Sequence, residues 1–475
     1  MLFNSLEFFV FLAIVLGLYW RLRRARQNVL LLVASYVFYG WWDYRFLSLI
    51  IVSTVADFFI AQRVDLSAGE RARKRWLFAS FGVNLGILAA FKYFNFFVDS
   101  AVALLESVGF SAHAPTLSVV LPVGISFYTF QTISYTFDVY RRRIEPERNL
   151  ITFGVYVAFF PQLVAGPIER AQHLLPQIQA DRRLPDLERL WSGGWLILTG
   201  LFKKVVLADG LAAAVQTRFE SPGQHGSLSL MVGVYAFAIQ IYGDFSGYSS
   251  IARGVARLFG IELIRNFEQP YLSANISQFW RTWHISLSTW LWDYLYVPLG
   301  GNRRGRRRIY INMFLTMLIG GLWHGASWTF VAWGALHGIY LAIHRARGAY
   351  EARGQPLSPR VGDLWKIVLT FHLVGFAWIF FRAESFSGAW DYLAGFARLG
   401  SLAAGDGGSL ASQAVGVFAF VVAAFVLDWI DRNRTRYRPL TSWSPLPLGA
   451  AAAVMIASIL VFSGGTLVPF IYFQF

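Results

Sequence analysis

The chain has 475 residues, of which 56% are hydrophobic, 17% aromatic and only 15% charged, far more apolar than an average soluble domain. Lys and Arg number 42 against 27 Asp and Glu, a formal net charge of +15, but the basic residues fall in short runs between apolar segments. That pattern is topological and excludes a nucleic-acid-binding stripe. The absence of cysteine excludes disulfide frameworks, thiolate zinc sites and cysteine nucleophiles.

Apolar stretches long enough to cross a hydrocarbon core of ~30 Å recur from one end to the other, with no segment large enough for a separate soluble domain. Residues 1–475 therefore read as a single all-α, polytopic membrane domain. Met1 to Trp20 lacks the basic leader and small-residue cleavage site of a secretory signal and is taken as a retained first span. Basic clusters at Arg21–Arg26, Arg63–Arg75, Arg141–Arg148, Arg303–Arg308, Arg345–Arg347 and Arg432–Arg438 are expected on the cytoplasmic side. Between the first two lies room for a hairpin turning near Trp41-Trp42-Asp43-Tyr44, and between the next two a pair of spans encloses Asp99 to Ser118.

Further spans are expected near 228–247, 364–381, 411–430 and 446–463, which leaves both termini facing outward. Phe159-Phe160-Pro161 and Ala165-Gly166-Pro167 interrupt the apolar run at 150–169, so a re-entrant or interfacial hairpin fits better than a crossing. At 190–215 Lys203-Lys204 sits in mid-run, giving either one span with snorkelling lysines or a short interfacial helix followed by a span. The total is about eleven to thirteen crossings plus at least two apolar segments that do not cross. Low-complexity sequence is limited to Gly400–Ser409, and no repeat period or matched pair of broken segments is found.

Two later segments carry histidines. Gln278 to Tyr294, read as one helix, places Trp280, Trp283, His284, Leu287, Leu291 and Tyr294 on a shared aromatic face, with Arg281 and Ser288 pointing elsewhere. Asn302 and the arginines that follow return the chain to the cytoplasmic side, so this amphipathic element enters the membrane without crossing. Residues 309–344 then go in and come back, with Gly320-Gly321-Leu322-Trp323-His324-Gly325 near the apex. About 16 helical residues from Arg308 carry His324 roughly 24 Å inward. An ionisable group at that depth is a functional candidate by default, and its flanking glycines allow the helix to break there.

Each histidine also has a packing explanation. His284 on an aromatic face fits a hydrogen-bonded core residue, and His337, in Gly334-Ala335-Leu336-His337-Gly338, fits close helix packing at its glycines. His344 beside Arg345 reads as interfacial, while His113, His173, His225 and His372 lack supporting context. No phosphate-binding glycine loop, His-Glu-x-x-His motif, nucleophile elbow or His-x-x-x-x-Asp motif occurs, and no metal site is expected. Asp57, Asp138, Asp244 and Asp293 are the plausible intramembrane carboxylates; Asp244, between glycines, suits either a functional bend or a helix cap at the inner surface.

Phe279-Trp280-Arg281-Thr282-Trp283-His284-Ile285-Ser286-Leu287-Ser288-Thr289-Trp290, then Tyr296-Val297-Pro298-Leu299-Gly300-Gly301-Asn302, then Gly321-Leu322-Trp323-His324-Gly325 resemble the central signature of the membrane-bound O-acyltransferases. The nearest resemblance is to the bacterial branch that acetylates polysaccharides, the alginate O-acetylases. Ala34 to Trp41, Pro122 to Gln131 and Phe160 to Ile168 are similar to that branch as well.

The resemblance implies a helical fold thinned at its centre into a tunnel, with the motif-bearing core at about 118–345. It implies His324 as catalytic histidine and His284 as second motif histidine, with Trp323, Trp283, Arg281, Trp280, Asp293 and Asn302 along the substrate tunnel. It further implies an acyl donor on the cytoplasmic side, acetyl-CoA, used as substrate with no bound cofactor. A periplasmic acetyltransferase partner, membrane lipids around the protein and a multi-pass place in the bacterial inner membrane follow from the same likeness. The acceptor is expected to be an exported polysaccharide such as alginate; D-alanyl transfer and acetylation of peptidoglycan or cellulose are the alternatives within the family. Outside it, a proton-coupled transporter would use His324 and Asp244 as relay groups.

Overall fold

The computed structural model describes residues 1–111, 121–164, 166–348, 361–397, 414–427, 430, 444–464 and 469–471. His113, the Gly400–Ser409 loop and the Arg432–Arg438 cluster lie outside them. The all-α expectation holds: the described residues are largely helical and contain no strand. They cluster into two compact units, one of Met1–Gly193 with Ala252–Ile264 and the other of Gly194–Ile251 with Arg265–Phe475.

The first unit opens with α1 (Leu6–Tyr19), capped by the Ser5 hydroxyl, which accepts from the Phe8 N–H at 3.3 Å. α2 (Arg24–Gly40) runs beside it, and Phe3, Phe8 and Phe38 form a buried aromatic cluster between them. The expected turn at Trp41–Tyr44 is present, its Asp43 carboxylate accepting from the Arg45 backbone N–H at 2.9 Å. α3 (Leu47–Leu66) and α4 (Glu70–Leu88) follow, and α4 continues through a π-helical turn at Ala89–Tyr93 into α5 (Phe94–Ser107). α6 (Ile125–Tyr140) is buried on nearly every side, as suits a helix at the centre of a bundle. Where α3, α4 and α6 meet, the Asp57 carboxylate accepts hydrogen bonds from Ser80, Asn84 and Thr136, so its desolvation is offset by three donors.

α7 (Leu150–Ala158) is nine residues long, roughly 13 Å, and cannot cross a bilayer. The chain bends at Phe159 into the single turn α8 (Phe160–Leu163), whose Phe160 N–H is accepted by the Ser35 hydroxyl at 3.0 Å. The interruption read at 150–169 is therefore a real break. α9 (Ala171–Gln179) closes this part of the chain.

α10 (Leu187–Leu201) leads into the second unit and passes without interruption through a π-helical stretch, Phe202–Asp209, into α11 (Gly210–Glu220). The snorkelling expectation for Lys203-Lys204 is corrected here. Both lysines are buried, and the Lys204 ammonium lies 2.7 Å from Asp209 and 3.0 Å from Asp244. Two carboxylates inside the fold replace the interface that snorkelling would reach. Asp244 is correspondingly no helix cap, since it lies in the middle of the 32-residue α12 (Ser227–Leu258). Gly200 permits the approach, because a Cβ there would sit 2.7 Å from the Gly247 carbonyl oxygen.

α13 (Ile276–Thr282), α14 (Ile285–Leu291), α15 (Arg306–His324) and α16 (Trp328–Ala346) carry the motif residues. α17 (Leu364–Arg382), α18 (Phe386–Phe396), α19 (Ala414–Leu427) and α20 (Pro445–Phe462) complete the second unit. The spans expected near 228–247, 364–381, 411–430 and 446–463 fall on α12, α17, α19 and α20. Among the described residues, five helices are long and apolar enough to cross a membrane by length and composition: Tyr44–Leu66, Glu70–Ser107, Ser227–Leu258, Leu364–Arg382 and Pro445–Phe462.

Candidate active site

The site is made by two helix breaks. α15 ends at His324 and α16 starts at Trp328, so the histidine closes one helix of an antiparallel pair, at the apex expected from the sequence. The glycines serve a different purpose from the one expected. Gly325 is extended, a conformation open to any residue, but a Cβ there would meet the Phe330 ring at 2.2 Å. At Gly321 a Cβ would lie 2.3 Å from the Phe330 carbonyl oxygen, and at Gly334 it would lie 2.4 Å from that of Met317. Close approach of α15 and α16, not backbone freedom, requires the glycines.

The single amphipathic helix expected over Gln278–Tyr294 is not found. The Asn275 side chain accepts from the Gln278 N–H at 2.9 Å and starts α13, which stops at Thr282. His284 then takes a left-handed conformation, φ +43 and ψ 55, before α14 begins. For a residue with a Cβ this conformation costs roughly 1–2 kcal/mol. Residues 266–268 hold it from both sides. The Glu268 N–H donates to the Thr282 carbonyl at 3.0 Å, and the Ile285 N–H donates to the Asn266 carbonyl at 2.9 Å. The Asn266 side-chain oxygen accepts from the Ser286 N–H at 3.1 Å, while its amide donates to the Ser249 hydroxyl at 3.3 Å. Strain held in place by surrounding structure is typical of functional positions.

The kink turns the His284 imidazole towards His324, with ring centroids 6.2 Å apart. Both histidines are buried. Phe245 stands edge-on to His284 at 4.6 Å, and Trp323 lies 5.9 Å from it. Around His324 stand Trp323 and Trp333, each at 5.0 Å, and Phe381 at 5.4 Å. Such a wall excludes water and fixes ring orientation.

The other expected site residues take separate places. Trp283 is one ring further out, against Trp378 at 5.1 Å, and Trp280 touches Trp333 at 5.6 Å. Trp280 and Arg281 also line a cavity of about 160 Å³ together with Trp292, Tyr296, His344 and Arg345. Asn302 holds the turn before α15 by accepting from the Tyr296 hydroxyl at 2.7 Å, and Asp293 lies half-buried in the π-helical turn Trp292–Tyr296 that follows α14. Trp333, Phe381, Asn266 and Phe245 were not singled out in the sequence. No group of three or more His, Asp or Glu able to hold a metal ion occurs among the described residues.

A multi-pass, all-helical protein with two buried imidazoles on broken helices has the equipment for proton transfer within a membrane. Residues 147–383 match the family model of the membrane-bound O-acyltransferases. With the relatives below, this shows that the chain belongs to that family and is an acyltransferase. It is 40% identical, over 100% of both chains, to a probable alginate O-acetylase of Pseudomonas putida. It is 44% identical to one of Pseudomonas aeruginosa, over 94% of this chain and 84% of that one. A peptidoglycan O-acetyltransferase of Helicobacter pylori is 34% identical over 84% of this chain and 80% of its own.

Proposed function

We propose that this protein carries an acetyl group from a cytoplasmic thioester, acetyl-CoA, across the bacterial inner membrane for O-acetylation of an exported polysaccharide of the alginate kind. The observation that carries the chemistry is the buried pair of imidazoles, His324 and His284, 6.2 Å apart at two helix breaks. The relatives' names support the polymer: probable alginate O-acetylases at 40% and 44% identity, above the peptidoglycan enzyme at 34%.

In the reaction, His324 acts as general base, taking the proton of the acceptor hydroxyl as its oxygen attacks the thioester carbonyl carbon. The new C–O bond forms, the C–S bond breaks, and the proton passes to the departing thiolate. A base so held typically contributes 10²- to 10⁴-fold. His284 orients the thioester and hydrogen-bonds the developing oxyanion, worth roughly 3 kcal/mol for one donor. The cavity with Arg281, His344 and Arg345 at its wall has the charge to receive the anionic part of the donor, and Trp292 has a face for its base. The acceptor hydroxyl in this step belongs to a periplasmic acetyltransferase on the far side, which then passes the acetyl group to a hydroxyl of the polymer and regains its own hydroxyl.

The test uses reconstituted protein together with the periplasmic acetyltransferase, labelled acetyl-CoA and alginate, peptidoglycan or teichoic acid as acceptors. Transfer to alginate that disappears in His324→Ala supports the proposal. A His324→Ala protein transferring at the wild-type rate rejects the base, and transfer to another polymer alone rejects the acceptor.

A further inference from the structure

His337 lies thirteen residues beyond His324 on α16 and is fully buried. Its Nδ1 is 3.2 Å from the Trp280 indole Nε1. An indole N–H can only donate, so Nδ1 must present its lone pair, and the proton of the neutral imidazole must sit on Nε2. The ring cannot easily turn away from this arrangement. It stacks on Phe279 at 6.0 Å, with planes 7° apart, and meets Trp280, Trp333 and Tyr340 edge-on at 5.0, 4.8 and 5.8 Å.

The Nε2 donor is buried and has no hydrogen-bond partner among the described residues. Burying such a group without a partner works against folding, so its presence calls for an explanation. Its surroundings supply one. Trp333 touches both His337 and His324, and Trp280 links His337 to the cavity lined by Arg281 and Arg345. The oriented donor thus belongs to the same aromatic wall as the catalytic histidine.

We propose that His337 is a donor-binding residue whose Nε2–H hydrogen-bonds a carbonyl oxygen of the acyl-bearing thioester chain, with Trp280 as the positioning residue that sets its tautomer. This rests on acyl transfer from a thioester as the protein's reaction. No bond is made or broken at His337, so its contribution is to binding: one hydrogen bond changes affinity by about tenfold.

The experiment measures kcat and KM for acetyl-CoA in proteoliposomes of wild type, His337→Phe, His337→Gln and Trp280→Phe, with the apparent Tm of each. Phe keeps an aromatic ring in the stack but offers no donor. Gln can accept from Trp280 through its oxygen and donate through its amide. The expected results are a KM raised about tenfold in His337→Phe with kcat changed less than about threefold, recovery of most of that loss in His337→Gln, and an intermediate KM in Trp280→Phe. An unchanged KM in His337→Phe overturns the inference, as does a Gln variant impaired as much as the Phe variant, since ring packing alone then accounts for the residue. A wild-type protein that transfers no acetyl group from the thioester instead overturns the reaction on which the inference rests.

Discussion

At the residue scale, the site depends on one strained backbone and on the asparagine that holds it. Asn266 caps α14 from another part of the chain, accepting from Ile285 and Ser286, so the left-handed His284 is supported where no glycine relieves it. Asn266→Ala leaves the Ser286 N–H without its acceptor and is expected to lower stability by about 1–3 kcal/mol. Misplacement of His284 should then slow acetyl transfer on the order of 10²-fold. Asn266→Asp keeps the acceptor and should retain much of both; equal transfer rates in the Ala variant and wild type would show that His284 needs no clamp. A second residue-scale prediction concerns His173, on α9. The Glu169 carboxylate, 2.8 Å from Nδ1, holds this imidazole above its ordinary value, with burial opposing and Glu262 adding a smaller push upward. Because the folded value is the higher one, the pair's stabilisation is complete below about pH 6.5 and is lost as pH rises through the raised folded value. Melting curves from pH 5.5 to 9 should therefore lose a component in His173→Gln; an identical pH dependence in the two proteins would contradict it. The group is partly exposed, so the effect should also weaken at high salt.

At the element scale, the α15–α16 pair explains how the His324 imidazole is held in place. The glycines of the Gly320-Gly321 doublet look alike in the sequence but differ in their neighbours. A Cβ on Gly321 meets a backbone carbonyl oxygen at 2.3 Å, which cannot give way, whereas one on Gly320 meets only the Leu291 Cδ1 at 3.0 Å. Gly321→Ala should therefore push the helices apart at a cost of about 1–3 kcal/mol and reduce transfer strongly, while Gly320→Ala should do little. Melting temperature and transfer rate of the two variants decide it, and matched losses would show that the contact is not specific to Gly321. Much at this scale was legible from the sequence. Basic clusters and turn residues located the Trp41–Tyr44 turn, the break at 159–161 and the apex at His324, because charge and proline act locally. The kink at His284 was not legible: it carries no glycine or proline, and its cause is Asn266, eighteen residues away. A helical period through Trp280, Trp283 and His284 therefore suggested continuity that tertiary hydrogen bonds override. Trp333 and His337 did carry a cue, since four-residue spacing puts them on one face of α16.

At the scale of the whole molecule, what escaped the sequence is pairing between distant segments, including the ion cluster of Lys204, Asp209 and Asp244. Lysines in an apolar run suggest an interface by default, and only the fold brings a carboxylate from α12 to Lys204. The same carboxylate anchors residues at the other end of the chain. The Ile471 N–H donates to Asp244 Oδ2 at 2.6 Å, and the buried Phe470 ring lies 4.5 Å from Tyr248 and 5.8 Å from Phe245. Phe245 is in turn the ring that stands edge-on to His284. A residue 186 positions from His284 in the chain thus stands behind the ring that backs it. Phe470→Ala removes a fully buried aromatic side chain, a change worth roughly 3–5 kcal/mol in a well-packed core, and its lost contacts matter in a membrane interior too, where packing drives association. The apparent Tm should fall, and transfer should fall further than the loss of folded protein accounts for, because Phe245 would then relax away from His284. Phe470→Leu, which fills most of the space, should recover both. If Phe470→Ala lowered the Tm while the folded fraction transferred acetyl at the wild-type rate, these residues would be an anchor alone, with no hold on the site.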